Sequence, residues 1–242
     1  MSYIFFKEFN SFLNSLIGYL VMGVFLIVMG LLLWVFKDTS VLEYGYADMS
    51  TLFSFGPYVL IFLVPAITMR SFAEEKKMGT LELLMTKPLT EFDIVLGKFL
   101  ASFVLVIVSL APTLIYYFTL RGLGNPPGNI DTPGVFGSFI GMVLLGGVFC
   151  SIGILSSSLS TNQIVSFILA AFFCYVFYTG IDSMASLFTD GESSLLVKQL
   201  GIIYHYESLS KGLIDSRDLI YFLSIGGIML LSTKTVLSSR SW

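Results

Sequence analysis

The chain has 242 residues, of which 55% are hydrophobic and 12% charged, with a mean hydropathy of +0.87; soluble domains carry about 25% charged residues. No water-soluble fold can hide that much apolar surface, and the apolar residues fall into blocks long enough to cross a bilayer, about 20 residues each. The net charge of −3, with basic residues mostly scattered singly, argues against nucleic acid as a partner.

In chain order, residues 1–15 read as an interfacial amphipathic helix. Phe5, Phe9, Phe12, Leu13 and Leu16 share one stripe, with Lys7, Glu8, Ser11, Asn14 and Ser15 on the other. Apolar blocks then run Leu16 to Phe36, Leu52 to Met69, Ile94 to Leu120, Val135 to Leu159, Ile164 to Ile181 and Leu219 to Leu237. Pro57, Pro65 and Pro112 mark kinks. The whole is expected to be one all-α membrane domain, 1–242, lying in the lipid bilayer with both termini on one side. One set of loops and ends carries Lys7, Arg70, Lys76, Lys77, Lys87, Lys98, Lys234 and Arg240. The other carries Lys37, Arg121, Lys198, Lys211 and Arg217 with most of the acidic residues. The positive-inside rule makes the first side, and both termini, cytoplasmic.

The fourth block is rich in small residues, among them Gly141, Gly147 and Gly153, at spacings that let helix backbones touch. Packing within the chain and a sliding surface between subunits are both open readings of it. No ionisable residue falls deep in any block, and Lys98, near the start of the third, is expected to snorkel to the surface. That disfavours an ion-coupled carrier. There is no H-E-x-x-H and no G-x-x-x-x-G-K-[ST] phosphate loop, and the one histidine, His205, is near no nucleophile motif. Catalysis, a metal and a bound cofactor are therefore not expected, and Cys150 and Cys174 read as packing residues. Aromatic residues such as Tyr116, Tyr117, Phe172, Phe173, Tyr175 and Tyr178 read as interfacial anchors more than as a pathway.

The most patterned polar stretch is residues 70–90. Glu74 and Lys77 sit three apart on a helix face, Gly79-Thr80 offers a bend, and Leu81, Leu84 and Met85 form a short apolar stripe ended by Lys87-Pro88. Thr90 and Asp93 supply a cap for the third span. The pattern predicts a short helix along the membrane face. The spacing R-x-x-x-E-E-x-x-x-G-T-x-E-x-L-x-x-x-P from Arg70 to Pro88 resembles the coupling-helix region of type-2 ABC exporter permeases. That resemblance implies that Phe72, Glu74, Glu75, Gly79, Thr80, Leu81, Glu82 and Leu84 contact a cytoplasmic ATPase subunit.

A second match lies before the last span, in His205, Glu207, Gly212, Ile214-Asp215, Arg217-Asp218 and Tyr221-Phe222. It implies that residues 182–218 form short helices re-entering the outer leaflet. End to end, the chain is similar to the gliding-motility branch of this family in Bacteroidetes. The resemblance implies a GldA-like ATPase that binds the ATP, and a second permease or GldG-like membrane protein beside this chain. The expected function is a permease subunit driven by that ATPase; the alternatives are a membrane scaffold of an envelope complex and, less fitting, a channel.

Overall fold

A computed structural model describes residues 1–43, 47–86, 88–188, 191–212 and 215–239. Among them every regular element is helical. An N-terminal helix α1 (Ser2–Leu13) precedes the first long apolar helix α2 (Leu16–Trp34). Next come α3 (Ser50–Thr68) and two short helices, α4 (Ala73–Lys77) and α5 (Thr80–Met85). The third span is α6 (Glu91–Leu110) and α7 (Leu114–Leu123), joined through a 3-10 turn at Pro112, where the missing N–H breaks the helical ladder. After α8 (Thr132–Leu159), α9 (Gln163–Tyr175) runs through a π-helical turn, Val176–Gly180, into α10 (Ile181–Ala185). Two more short helices, α11 (Gly191–Lys198) and α12 (Ile202–Ser210), lead to α13 (Ser216–Ser238).

Among the described residues six helical stretches are long and apolar enough to cross a membrane: Leu16–Trp34, Ser50–Lys77, Glu91–Leu123, Thr132–Leu159, Gln163–Ala185 and Ser216–Ser238. They coincide with the six expected blocks to within a few residues at most ends. The chain is a multi-pass membrane protein. Its centre is α8, 67% of whose apolar window is buried, against 22% for α2 and 17% for α13; α3, α6, α9, α12 and α13 pack around it. On α2 the residues Phe25, Met29 and Leu33 face this core, while Leu16, Leu20, Val24, Ile27 and Leu31 are exposed one turn apart.

The N-terminal helix forms, but its faces differ from expectation. Ile4 and Phe12 are the buried positions, Glu8 is turned inward between them, and Leu16 is exposed. The helix lies against α6, so its inner face is selected by partners on α6 and α4, as described below, and not by the lipid boundary alone.

Proline and a distant hydroxyl fix the position of α12. Pro57 has no N–H to give to the carbonyl of Phe53, one turn earlier in α3, and that acceptor would otherwise stay unpaired. The Tyr206 hydroxyl donates to it at 2.8 Å. Ser138 of α8 donates to the Ser210 carbonyl at 3.0 Å, closing the other side. The short helix is thereby pinned between α3 and α8.

Gly141, Gly147 and Gly153, the α8 glycines expected to allow close packing, meet three different neighbours in the same chain. A Cβ at Gly141 would lie 3.2 Å from the Leu209 Cβ, and one at Gly147 would lie 3.2 Å from the Phe103 ring. One at Gly153 would overlap the Thr68 hydroxyl, with the Thr68 Cβ 2.8 Å away. Gly153→Leu is therefore expected to separate α8 from α3 at a cost of about 1–3 kcal/mol or more, lowering the yield of folded protein in detergent. Gly227→Leu, where a Cβ meets nothing within 4 Å, should be tolerated. Equal yields of the two variants in size-exclusion chromatography would contradict this packing.

Candidate functional site

The segment expected to be one short helix is two, and its bend is Gly79, with φ of 69°. That left-handed conformation costs an L-residue roughly 1–2 kcal/mol but suits glycine. The first half, α4, is held by another helix. Ser157, near the end of α8, accepts from the backbone N–H groups of Phe72 at 2.9 Å and Ala73 at 3.1 Å, and its own hydroxyl donates to the Met69 carbonyl at 3.1 Å. A side chain from a separate helix thus satisfies N–H groups that α4 leaves unbonded at its start. Lys76 adds a hydrogen bond from its ammonium to the Ser158 carbonyl.

Beneath α4 lies a charge network. The Lys98 ammonium, on a side chain that is 1% exposed, reaches Glu8 at 2.8 Å, Glu75 at 3.0 Å and the Ser71 carbonyl at 2.7 Å. Its three donors are all used, and the Phe72 ring lies 5.1 Å below the charge. Lys7 approaches the same Glu75 oxygen at 3.2 Å and Glu8 at 3.7 Å. Two ammonium groups thus face two carboxylates from α1, α4 and α6. Lys98 is not a snorkelling residue: its charge is paired inside the protein, because α1 and α4 deliver carboxylates closer than water. The second Glu75 oxygen has no partner among the described residues.

Burial lowers the Lys7 pKa, but Glu75 and then Glu8 outweigh it and hold the ammonium above its ordinary 10.5. What this pairing contributes is present below that value and lost as pH rises through the higher folded one.

The expected Glu74–Lys77 pair is replaced by Arg70–Glu74, four residues apart at 3.0 Å. In that register Arg70 also reaches the Ser15 hydroxyl at the α1–α2 joint, at 3.5 Å. Thr80 donates to the Glu75 carbonyl at 3.3 Å, holding α5 against α4 across the bend. Below α5, Leu81 packs in a small apolar cluster with Phe72, Ile94 and Leu237. The expected cap of the third span is present, with Thr90 and Asp93 bonded reciprocally.

The candidate residues consequently divide by face. Phe72, Glu75 and Leu81 are buried and attach the element to the bundle; Glu74, Thr80 and Leu84 are half-buried; Gly79 and Glu82 are exposed. Met78 and Leu83, 60% and 67% exposed, are apolar residues on the outer surface that the resemblance did not single out. Beside the bend a depression of about 250 Å³ is lined by Gly79, Leu81, Glu82 and Met85. Lys87 lies outside the described residues, as do Arg240 and Ile214. Lys7, Glu8, Lys98 and Ser157 complete the site and were not among the expected residues. The adjacent opposite charges Lys7-Glu8, ill-suited to lipid, are the one signal the sequence holds for them.

At the other end of the bundle, His205 Nδ1 lies 2.6 Å from Asp218 and Nε2 lies 2.9 Å from the Gln199 carbonyl. The imidazole stacks on Tyr221 at 3.8 Å. Asp215 caps α13 by accepting from the Arg217 N–H at 3.0 Å. The second sequence match thus forms a local clasp between α12 and α13. Among the described residues no group of three or more His, Cys, Asp or Glu side chains could hold a metal ion.

No curated protein matches the chain. Residues 3–233 match the model of the ABC-2 family transporter proteins, a stretch that takes in α1 through most of α13, the α4–α5 element and the clasp. Members of that family are membrane components, not ATPases, and the family implies an ABC ATPase partner. This multi-pass chain belongs to the ABC-2 transporter family.

Proposed function

We propose that the chain is a permease subunit in which α4 and α5 form the docking surface for a separate cytoplasmic ABC ATPase. One observation carries this reading: the element is fixed on its inner face by buried groups from α1, α6 and α8, while Met78, Gly79, Glu82 and Leu83 project outward. Motion of a docked partner would pass through the charge network into α6 and through Ser157 into α8. ATP closure of an ATPase pair would then shift two permease halves relative to each other. The second half would be another copy or a related membrane protein. The end-to-end resemblance supports a gliding-motility permease, GldF-like, with GldA-like and GldG-like partners.

The basic residues Lys7, Arg70, Lys76 and Lys98 gather around this element, which supports a cytoplasmic position for it and for both termini in an inner membrane. The native Cys150 and Cys174 are buried and can stay in place during labelling. In intact cells a cysteine at exposed Asn129 should react with an impermeant thiol reagent, and one at exposed Ser239 should react only after permeabilisation. The reverse pattern would overturn the orientation and the docking reading with it. An ATP-binding protein should copurify with the tagged chain; its absence from a mild-detergent preparation would count against a permease subunit.

A further inference from the structure

At the end of the bundle opposite α4 and α5, a half-open cavity of about 380 Å³ lies under α12, between α3, the start of α8 and the π-helical turn. That is the small end of ligand-pocket sizes, about 300–1,000 Å³. Among the described residues three carboxylates line it, Asp48, Asp131 and Glu207, and no Lys, Arg or His does. Two of them have local duties: Asp48 accepts from the Ser50 N–H at 3.0 Å and Asp131 from the Gly134 N–H at 3.2 Å. The Glu207 carboxylate makes no ion pair or hydrogen bond with any described residue. Glu207 is exposed and also borders a second depression, which His205, Lys211 and Arg217 line.

An aromatic wall adjoins that charge. Tyr58, Tyr178 and Tyr206 meet edge to face, with Tyr178 at 5.6 Å from Tyr58 and 6.4 Å from Tyr206. Tyr178 is 4% exposed, lines the cavity, and its hydroxyl has no hydrogen-bond partner among the described residues. That hydroxyl is not one of the sealed, unpaired polar atoms of the interior; it opens into the cavity. Tyr178 sits in the π-helical turn Val176–Gly180, a local widening of the helix that recurs at functional sites. A cavity wall that carries carboxylates but no basic side chain, with ring faces and a hydroxyl oxygen that no described residue bonds, suits a positively charged nitrogen.

We propose that this cavity binds an organic ammonium ion, either free in solution or as the headgroup of a lipid. Glu207 supplies the charge, the tyrosine rings supply cation–π contact, and the Tyr178 oxygen accepts from an N–H. The site is distinct from the docking surface, and its test needs neither ATPase nor a known orientation.

The full chain, purified in a neutral detergent, is followed by thermal unfolding with choline, with ethanolamine and, at matched ionic strength, with sorbitol as a neutral control. In parallel, it is reconstituted with equal phosphatidylglycerol and phosphatidylethanolamine, and retained lipid is identified by native mass spectrometry. A saturable rise in Tm with either amine identifies a free ion; selective retention of phosphatidylethanolamine without that rise identifies a headgroup. Glu207→Gln should weaken the effect about tenfold, as expected for removing a hydrogen bond to a charged group. Tyr178→Phe keeps the ring packing and should affect ethanolamine more than choline, which has no N–H. The proposal is overturned if neither amine nor lipid binds, if sorbitol acts equally, or if both variants respond as the wild type does.

Discussion

Replacing Lys98 with methionine is expected to lower the thermal stability of the purified chain more than any substitution on its surface. Methionine fills much of the same volume, so the loss is electrical. Among the described residues Glu8 and Glu75 would then share only Lys7, whose side chain is 51% exposed, and one Glu75 oxygen already has no partner there. Breaking a buried pair by removing one member costs about 3–5 kcal/mol, whereas replacing the whole set with neutral groups is often harmless. The expected fall in Tm is on the order of 10 °C. A Glu8→Gln, Glu75→Gln, Lys98→Met triple variant should recover much of it. A single variant within a degree of wild type would mean that Lys98 is solvated and that the network does not hold α1 and α4 to α6.

The positions of the six spans were legible in the sequence because hydrocarbon demands about 20 apolar residues wherever a helix crosses. The fourth block, expected from Val135, begins at Thr132, where Asp131 caps it. The faces of the spans were not legible. Lipid tails and a protein core are equally apolar, so nothing in the composition of α2 separates the buried Phe25, Met29 and Leu33 from the exposed Leu20, Val24 and Ile27. Lys98 was misread for a related reason. A helix viewed alone offers a lysine only the membrane surface, and its true partners lie 90 residues away at Glu8 and on α4 at Glu75.

The α4–α5 element was legible as a pattern of residue types, and its division into two faces was not. Glu74 and Glu75 look alike in the sequence. Yet Glu75 is buried over Lys98, while Glu74 is half-buried and pairs with Arg70. A helix of five residues cannot reveal its inner face by periodicity, since it has little more than one turn.

That division decides how docking should be tested. Charge reversal at Glu75 would place a third cation beside Lys98 and Lys7 and would damage the fold itself, so loss of the partner in that variant would say nothing about docking. Glu82 and Leu83 avoid the difficulty: both are exposed, and neither has a side-chain bond to the bundle among the described residues. The pair Glu82→Lys, Leu83→Asp should leave Tm and membrane abundance as in wild type. At an interface it would oppose the partner's charge and remove an apolar anchor, together costing about 2–5 kcal/mol, or more than tenfold in affinity. Gly79→Pro asks the same of geometry, because proline cannot take the positive φ found there, and should redirect α5 without touching Lys98. The measurement is recovery of the ATP-binding subunit on the tagged chain, with Tm taken on the same preparations. Reduced recovery at unchanged Tm places the contact on the outer face of α5. Full recovery in both variants would move the docking surface elsewhere and leave α4 and α5 as a brace for the bundle.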